Sequence, residues 1–379
     1  MRILLVSSSS GSRGGGEIFL RYLAGGLREL GHNVAVWIST GTQMDELAAL
    51  LADDHIEVLR SPYTNTYHRA LRSLSSLLPS PSLSDIRSCW EGWDPDLIHI
   101  NKQNLEDGLD LYQLAAGMAT PSLCTIHITQ SQHSLGAVAG RLRDAVARRT
   151  LRRFPVPLTA VSDLRASELS LFAGREAPSI YNGVPEPDAD SLSRWRSETR
   201  GKLGWEEKTL GFLGVGRMVP QKRPLEFLRL AREIHCRYPE ARFAWIGDGE
   251  LAAEWDSETS DASAWIQRLP WQTSTAPWFA AADVFLHTAA FEGLPFAVVE
   301  ACSFRLPILL PGSVIQEAEP FQLAHIPSSD APETWIEEIG QATYRSALAE
   351  KAHQLFVEHF SLSSMAGTFA SHYQDAATR

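Results

Sequence analysis

The sequence predicts an α/β chain of two doubly wound parallel-sheet domains facing across a cleft, and three observations carry that expectation. The chain has 379 residues, too many for one ordinary core and about right for two domains of roughly 100 to 200 residues each. Short apolar runs alternate with amphipathic helical stretches, the pattern of parallel strands covered on both faces. The alternation breaks after Tyr181 at a turn-rich stretch, Asn182 to Pro187, and then begins again.

In the first half, strands are expected near Ile3 to Val6, Asn33 to Ile38, Leu97 to Ile100, Ser122 to Ile126 and Leu158 to Val161. The stretches Glu17 to Leu30, ended by Gly31, and Ser134 to Arg153, with Ser134 as cap, suit crossover helices. Asn182-Gly183-Val184-Pro185-Glu186-Pro187 reads as the linker, since Gly accepts positive φ and each Pro removes a donor. This sets domain bounds of 1–183 and 184–361. Strands follow near Leu210 to Val215, Phe243 to Ile246, Val284 to His287 and Pro307 to Leu310, with a helix over Pro224 to Arg237. The end, from Leu362, reads as a helix with no strand after it, which must pack on something already built.

Composition narrows the class. At 44% hydrophobic and 21% charged residues the chain is globular, and its formal charge of -11 repels polyanions, so no nucleic-acid partner is expected. Cys89, Cys124, Cys236 and Cys302 form no CxxC pair, which points to a reducing compartment with the thiols acting as small buried apolar groups. The apolar opening Arg2 to Val6 is too short for a signal-peptide core or a membrane span, and a cytoplasmic protein is expected.

In doubly wound sheets ligands sit beyond the carboxyl ends of strands, so four loops there come first. Ser7 to Glu17 holds Gly14-Gly15-Gly16 at a helix start, where backbone N–H groups approach a phosphate or the glycines serve a tight turn. It is neither a GxGxxG nor a Walker sequence. Gly214 to Pro224 carries Arg217 and Lys222, a pair able to neutralise a diphosphate, or else a solvated basic loop. Phe291 to Glu300 places Glu292 before a helix beginning near Phe296 and Glu300 about one turn inside it. Amides near Phe296 and Ala297 then suit a phosphate, Glu300 two ribose hydroxyls and Glu292 sugar hydroxyls, the alternative being that Glu300 only stabilises the first turn. His127 follows an apolar strand at its carboxyl end, whereas His99 reads as a satisfied core histidine. Asp94-Pro95-Asp96 imitates a metal-gripping DxD but precedes a strand, so it reads as a turn, and Asp188-Ala189-Asp190 as solvated linker.

Together these motifs resemble the GT-B glycosyltransferases, specifically the retaining family four of glycosyltransferase group 1 type. The likeness rests on Gly14-Gly15-Gly16-Glu17, His127, Tyr181-Asn182-Gly183-Val184, Gly216-Arg217 to Lys222, Gly247-Asp248-Gly249-Glu250, and Glu292 with Glu300 in an E-x7-E pattern. It implies two Rossmann-like domains, an acceptor-side one over 1–183 and a nucleotide-sugar-binding one over 184–361, with the last helix, 362–379, crossing back to the first. It also implies a UDP, GDP or ADP sugar as donor and a glycan, lipid-linked or small-molecule acceptor. Arg217 and Lys222 would hold the diphosphate beside Gly216, Glu300 the ribose, and Glu292 the transferred sugar beside Leu294, Phe296 and Ala297. His127 would face the sugar, and Gly15 and Gly16 would approach the donor. No cofactor and no metal are expected, the leaving charge falling to the two cations and the helix terminus.

Two departures stand out. Pro295 occupies a position where many members have Gly and offers no N–H to a sugar hydroxyl. Leu269-Pro270-Trp271 lies where the family meets the nucleobase and commonly has Gly. Arg141, Arg143, Arg148, Arg149, Arg152 and Arg153, opposed only by Asp144, form a basic amphipathic helix that suits either solvation or peripheral contact with the inner, anionic membrane face. The competing functions are a nucleotide-sugar epimerase of the same fold and a non-catalytic GT-B subunit.

Overall fold

The computed structural model describes residues 1–9, 11, 14–78 and 82–378. Ser10, Ser12 and Arg13 of the glycine-rich loop therefore lie outside the described residues. The chain divides into two compact units, Met1–Gly183 with Leu362–Arg379, and Val184–Ser361.

The first unit is a six-stranded, wholly parallel sheet of β1 (Arg2–Ser7), β2 (Asn33–Ser39), β3 (Glu57–Ser61), β4 (Leu97–Asn104), β5 (Ser122–Ile128) and β6 (Leu158–Ala160), in the order β3-β2-β1-β4-β5-β6. Val6 on the central strand pairs with Trp37 on one side and Ile100 on the other. Apart from the edge strand β3 the strands are largely buried, and the apolar runs within them make them legible. On one face Trp37, Trp90, Tyr112 and Phe172 build the main cluster. On the other, the helix Gly15–Glu29 meets the terminal helix Leu362–Ala377. Gly26 permits that approach, since a Cβ there would come within 2.8 Å of the Ala366 Cβ. His99 is buried and satisfied, bonded to the Tyr373 hydroxyl at 2.6 Å and to Thr125 Oγ1 at 2.8 Å.

The second unit is a five-stranded parallel sheet of β7 (Gly211–Val215), β8 (Arg242–Ile246), β9 (Ile266–Leu269), β10 (Val284–Leu286) and β11 (Ile308–Leu309), in the order β11-β10-β7-β8-β9. Phe212, Phe227, Phe243, Trp245 and Trp255 fill its core. In each sheet the winding reverses once, between β1 and β4 in the first unit and between β7 and β10 in the second. Crevices open at such switch points, so the loops leaving these four strands are the places for a ligand.

Several expectations need correction. The basic helix starts at Gly140, not Ser134. Ser134 instead closes a turn with Ser131, and Asp144 reaches back to accept the N–H groups of Gln132 and His133 at 2.7 and 3.0 Å. Asp188 is no idle linker residue, because its carboxylate caps the helix Ala189–Leu203. Cys236 is exposed, unlike buried Cys124 and Cys302. Asp94 does sit in a turn, with a left-handed backbone of φ 53°, and Asp96 accepts the Arg2 N–H.

Candidate functional site

In the second unit the chain leaves β7 at Gly216, makes a 3₁₀ turn over Pro220–Lys222, and enters the helix Pro224–Arg237 through Arg223, whose φ is 51°. The loop after β10 is stitched to this turn. Thr288 Oγ1 donates to the carbonyls of Lys222 and Arg223 at 3.1 and 3.0 Å, Ala290 N–H donates to the Gln221 carbonyl at 2.8 Å, and Gln221 donates to the Phe291 carbonyl at 3.1 Å. These bonds bring Lys222 and Glu292 together across the switch point, where the ammonium donates to Glu292 Oε1 in a short ion pair. Glu292 is 7% exposed, so its charge is held where water scarcely reaches it.

His287, the first residue past β10, completes the group. Its Nε2 lies 3.8 Å from the same Glu292 oxygen, and the residue is 3% exposed. Burial, assisted by the Lys222 ammonium, holds its imidazole down to about 3, so it is neutral. In the sequence His287 reads only as the end of a strand. Nothing in its spacing signals the contact, which depends on the fold returning Glu292 to it.

Arg217 is exposed on the same turn. The helix Phe296–Ser303 begins directly after Pro295, so the N–H groups of Phe296 and Ala297 lie in its first turn. Glu300 stands half-buried one turn in, and Leu294 is buried. The backbone around Gly216 is clamped from β8. The Trp245 indole donates to the Gly216 carbonyl at 3.0 Å, and a side chain on Gly247, at φ 139°, would collide with that carbonyl. Asp248 is held by Arg268 at 3.2 Å and by the Trp271 N–H at 2.8 Å, which fixes the Leu269-Pro270-Trp271 stretch.

In the first unit the same logic acts at β1 and β4. Asn101, near the end of β4, donates to the Gly16 carbonyl at 3.0 Å and bonds His127 Nε2 at 2.6 Å through its own oxygen. His127 is not in a loop, because β5 continues to Ile128 and buries the ring edge-on against Phe19. That burial holds its imidazole down to about 4. Gly15 is exposed, but Gly16 is buried, and a Cβ on it would lie 2.7 Å from the Gln103 amide nitrogen. Gln103 in turn donates to Glu17 at 2.9 Å. Gly16 therefore serves close packing of the turn.

Beyond these lies a charged cluster that sequence reasoning missed. Arg143 pairs with buried Glu106, Arg69 with buried Asp110 at 2.6 Å, and Lys102 and Asp107 are buried nearby. Burial lowers the Lys102 ammonium and raises the Asp107 carboxyl to about 7. Arg143 thus points inward, unlike Arg141, Arg148, Arg149, Arg152 and Arg153, which are exposed. Among the described residues, no group of three or more His, Cys, Asp or Glu side chains is placed to hold a metal ion, and no helix is long and apolar enough to cross a membrane.

Two doubly wound parallel sheets, each with polar groups gathered at its switch point, define the GT-B class of fold. Known proteins agree with this. A glycosyl transferase 4-like domain matches residues 14–178, and the glycosyl transferases group 1 domain matches residues 207–342. The chain belongs to the GT-B glycosyltransferases of the group 1, family-four type. It is 33% identical over 113 residues to the UDP-Gal:alpha-D-GlcNAc-diphosphoundecaprenol alpha-1,3-galactosyltransferase of Escherichia coli, 28% of this chain and 29% of that one. It is 24% identical over 213 residues to the Vi polysaccharide biosynthesis protein VipC/TviE of Salmonella typhi, 50% of this chain and 35% of that one. The matches thus span about a third of the length of these curated relatives. Among solved structures, Anabaena HepE in complex with UDP-glucose aligns over 99% of this chain and 100% of its own, with a TM-score of 0.75 at 19% identity.

Proposed function

We propose that the protein transfers a sugar, with retention at the anomeric carbon, from a nucleotide-diphosphate donor to a saccharide acceptor, lipid-linked or free. The observation that carries the reading is the meeting of Lys222 and Glu292 at the switch point of the second unit, with Arg217 on the same turn and Glu300 one turn into the next helix. A diphosphate is met there by a guanidinium, an ammonium and the N–H groups of Phe296 and Ala297, and Glu300 suits the ribose diol. Glu292 accepts from hydroxyls of the sugar, with Leu294 beside it. Pro295 offers no N–H, so hydroxyl recognition falls to its neighbours.

The bond from the anomeric carbon to the diphosphate breaks while the acceptor oxygen bonds to the same face of that carbon. The acceptor proton passes to the leaving phosphate oxygen. Arg217 and Lys222 stabilise the charge developing on that group, which is the role otherwise filled by a metal. His127 and the Gly15-Gly16 turn belong, in this reading, to the acceptor-side unit.

UDP is the nucleotide we favour, since HepE is solved with UDP-glucose and the Escherichia coli relative is named for UDP-Gal. The diphosphoundecaprenol in the latter name makes a lipid-linked acceptor our first choice. A thermal-shift panel of UDP, GDP and ADP sugars tests the donor, because a ligand binding only the native state raises its melting temperature. A UDP sugar should give the largest shift, and no shift from any of the three would end the reading. Incubation with donor alone should return it unchanged; an epimerised sugar would show an isomerase instead.

A further inference from the structure

We infer that His287 is a positioning residue, which holds the Glu292 carboxylate in place when a donor diphosphate draws Lys222 away from it. The inference rests on the donor site proposed above and deepens it.

Glu292 is buried, and the only cation bonded to it among the described residues is Lys222. That same ammonium is needed by the diphosphate, and one ammonium cannot serve both anions fully. A buried carboxylate stripped of its partner is strongly unfavourable unless another donor takes over. The neighbouring group able to do so is His287. Its Nε2 is buried without a hydrogen-bond partner and stands 3.8 Å from Glu292 Oε1, just beyond bonding distance. A neutral imidazole carries one N–H, and the tautomer protonated at Nε2 aims it at that oxygen.

The ring is also anchored so that it can wait there. Its backbone N–H donates to the Leu309 carbonyl at 2.9 Å, its carbonyl accepts from Ser329 Oγ at 2.9 Å, and the imidazole lies stacked against Phe285. An approach of under one ångström by the Glu292 side chain makes the bond. His287 then keeps the carboxylate oriented toward the sugar without adding a second positive charge to the site.

The test is the dissociation constant of UDP, with UMP as control, for the full-length protein and the variants His287→Phe, His287→Gln and Glu292→Gln. His287→Phe should weaken UDP about tenfold, His287→Gln should recover most of that loss through its amide N–H, and UMP, with no second phosphate to draw Lys222, should change little. In the Glu292→Gln background, His287→Phe should have no further effect, since no buried charge is left to hold. Unchanged UDP affinity in His287→Phe, or an equal loss with Glu292 already neutralised, would overturn the inference and leave the donor site standing. A wild-type protein that binds none of UDP, GDP or ADP would remove the donor site and this role with it.

Discussion

Lys222 is the residue on which the proposed chemistry turns, and its neighbours set what its loss would do. Lys222→Ala removes a charge that stabilises the leaving diphosphate, so turnover should fall by about 10²- to 10³-fold. The fold should survive, because Glu292 lies in the loop beyond β10 with a second donor, His287, at 3.8 Å. Steady-state kinetics with a circular-dichroism melt checks both halves, and near-normal turnover would refute the assignment. Lys222, Glu292 and Glu300 were readable because loop position and the E-x7-E spacing lie within short stretches of sequence. Asn101 and His287 were not, because their contacts join separate strand ends. Asn101 reaches Gly16 and His127, 85 and 26 residues away, and no local pattern encodes either partner.

At the level of elements, legibility followed burial. The central strands each carry a buried apolar run, broken on β4 and β5 by His99, Asn101 and Thr125, and were readable to within a few residues. The strands missed, β3 and β9, are edge strands with the sequences Glu57-Val58-Leu59-Arg60-Ser61 and Ile266-Gln267-Arg268-Leu269, half-exposed and without an apolar run. The helix Gly140–Arg153 was readable as basic and amphipathic, but not its start, which Asp144 fixes by a bond back to the preceding turn. Its outer face carries Arg141, Leu142, Ala145, Arg148, Arg149, Arg152 and Arg153 with no acid among them. Val138, 89% exposed, and Leu142, 53% exposed, stand at one end of that row. Such a face suits an anionic bilayer, where each basic residue contributes about 1 kcal/mol. We therefore predict co-sedimentation with vesicles containing anionic lipid and not with neutral ones, lost in the triple variant Arg141→Gln, Arg149→Gln, Arg153→Gln. Equal behaviour with both vesicle types would return this face to solvent.

For the molecule as a whole, the buried histidines set how stability responds to acid. Burial holds His99 and His287 down to about 3 and His127 to about 4, all below the ordinary value of 6.5. Between pH 6.5 and about 4 the unfolded chain binds these protons and the folded chain does not. Stability therefore falls as pH drops, by about 1.4 kcal/mol per pH unit for each histidine. Asp107 runs the other way. Its carboxyl is raised to about 7, so between that pH and its ordinary 3.8 the folded state holds the extra proton, and acidification favours folding. In the first unit the lowered His32, His99, His127 and Lys102 are set against one raised carboxyl, and the second unit has His287 alone. The second unit should lose about 1.4 kcal/mol per pH unit in that window, a large share of the roughly 5 to 15 kcal/mol that holds a domain folded, and the first should lose stability in the same direction. Denaturant midpoints measured at pH 7.5, 6 and 5 should fall in sequence. Asp107→Asn removes the offset in the first unit, so its midpoints should drop more steeply with acid while those of the second unit keep the wild-type slope. Midpoints that stay level or rise on acidification would show that these histidines are protonated in the folded protein, and that the bonds from His127 to Asn101 and from His99 to Tyr373 are made by charged rings.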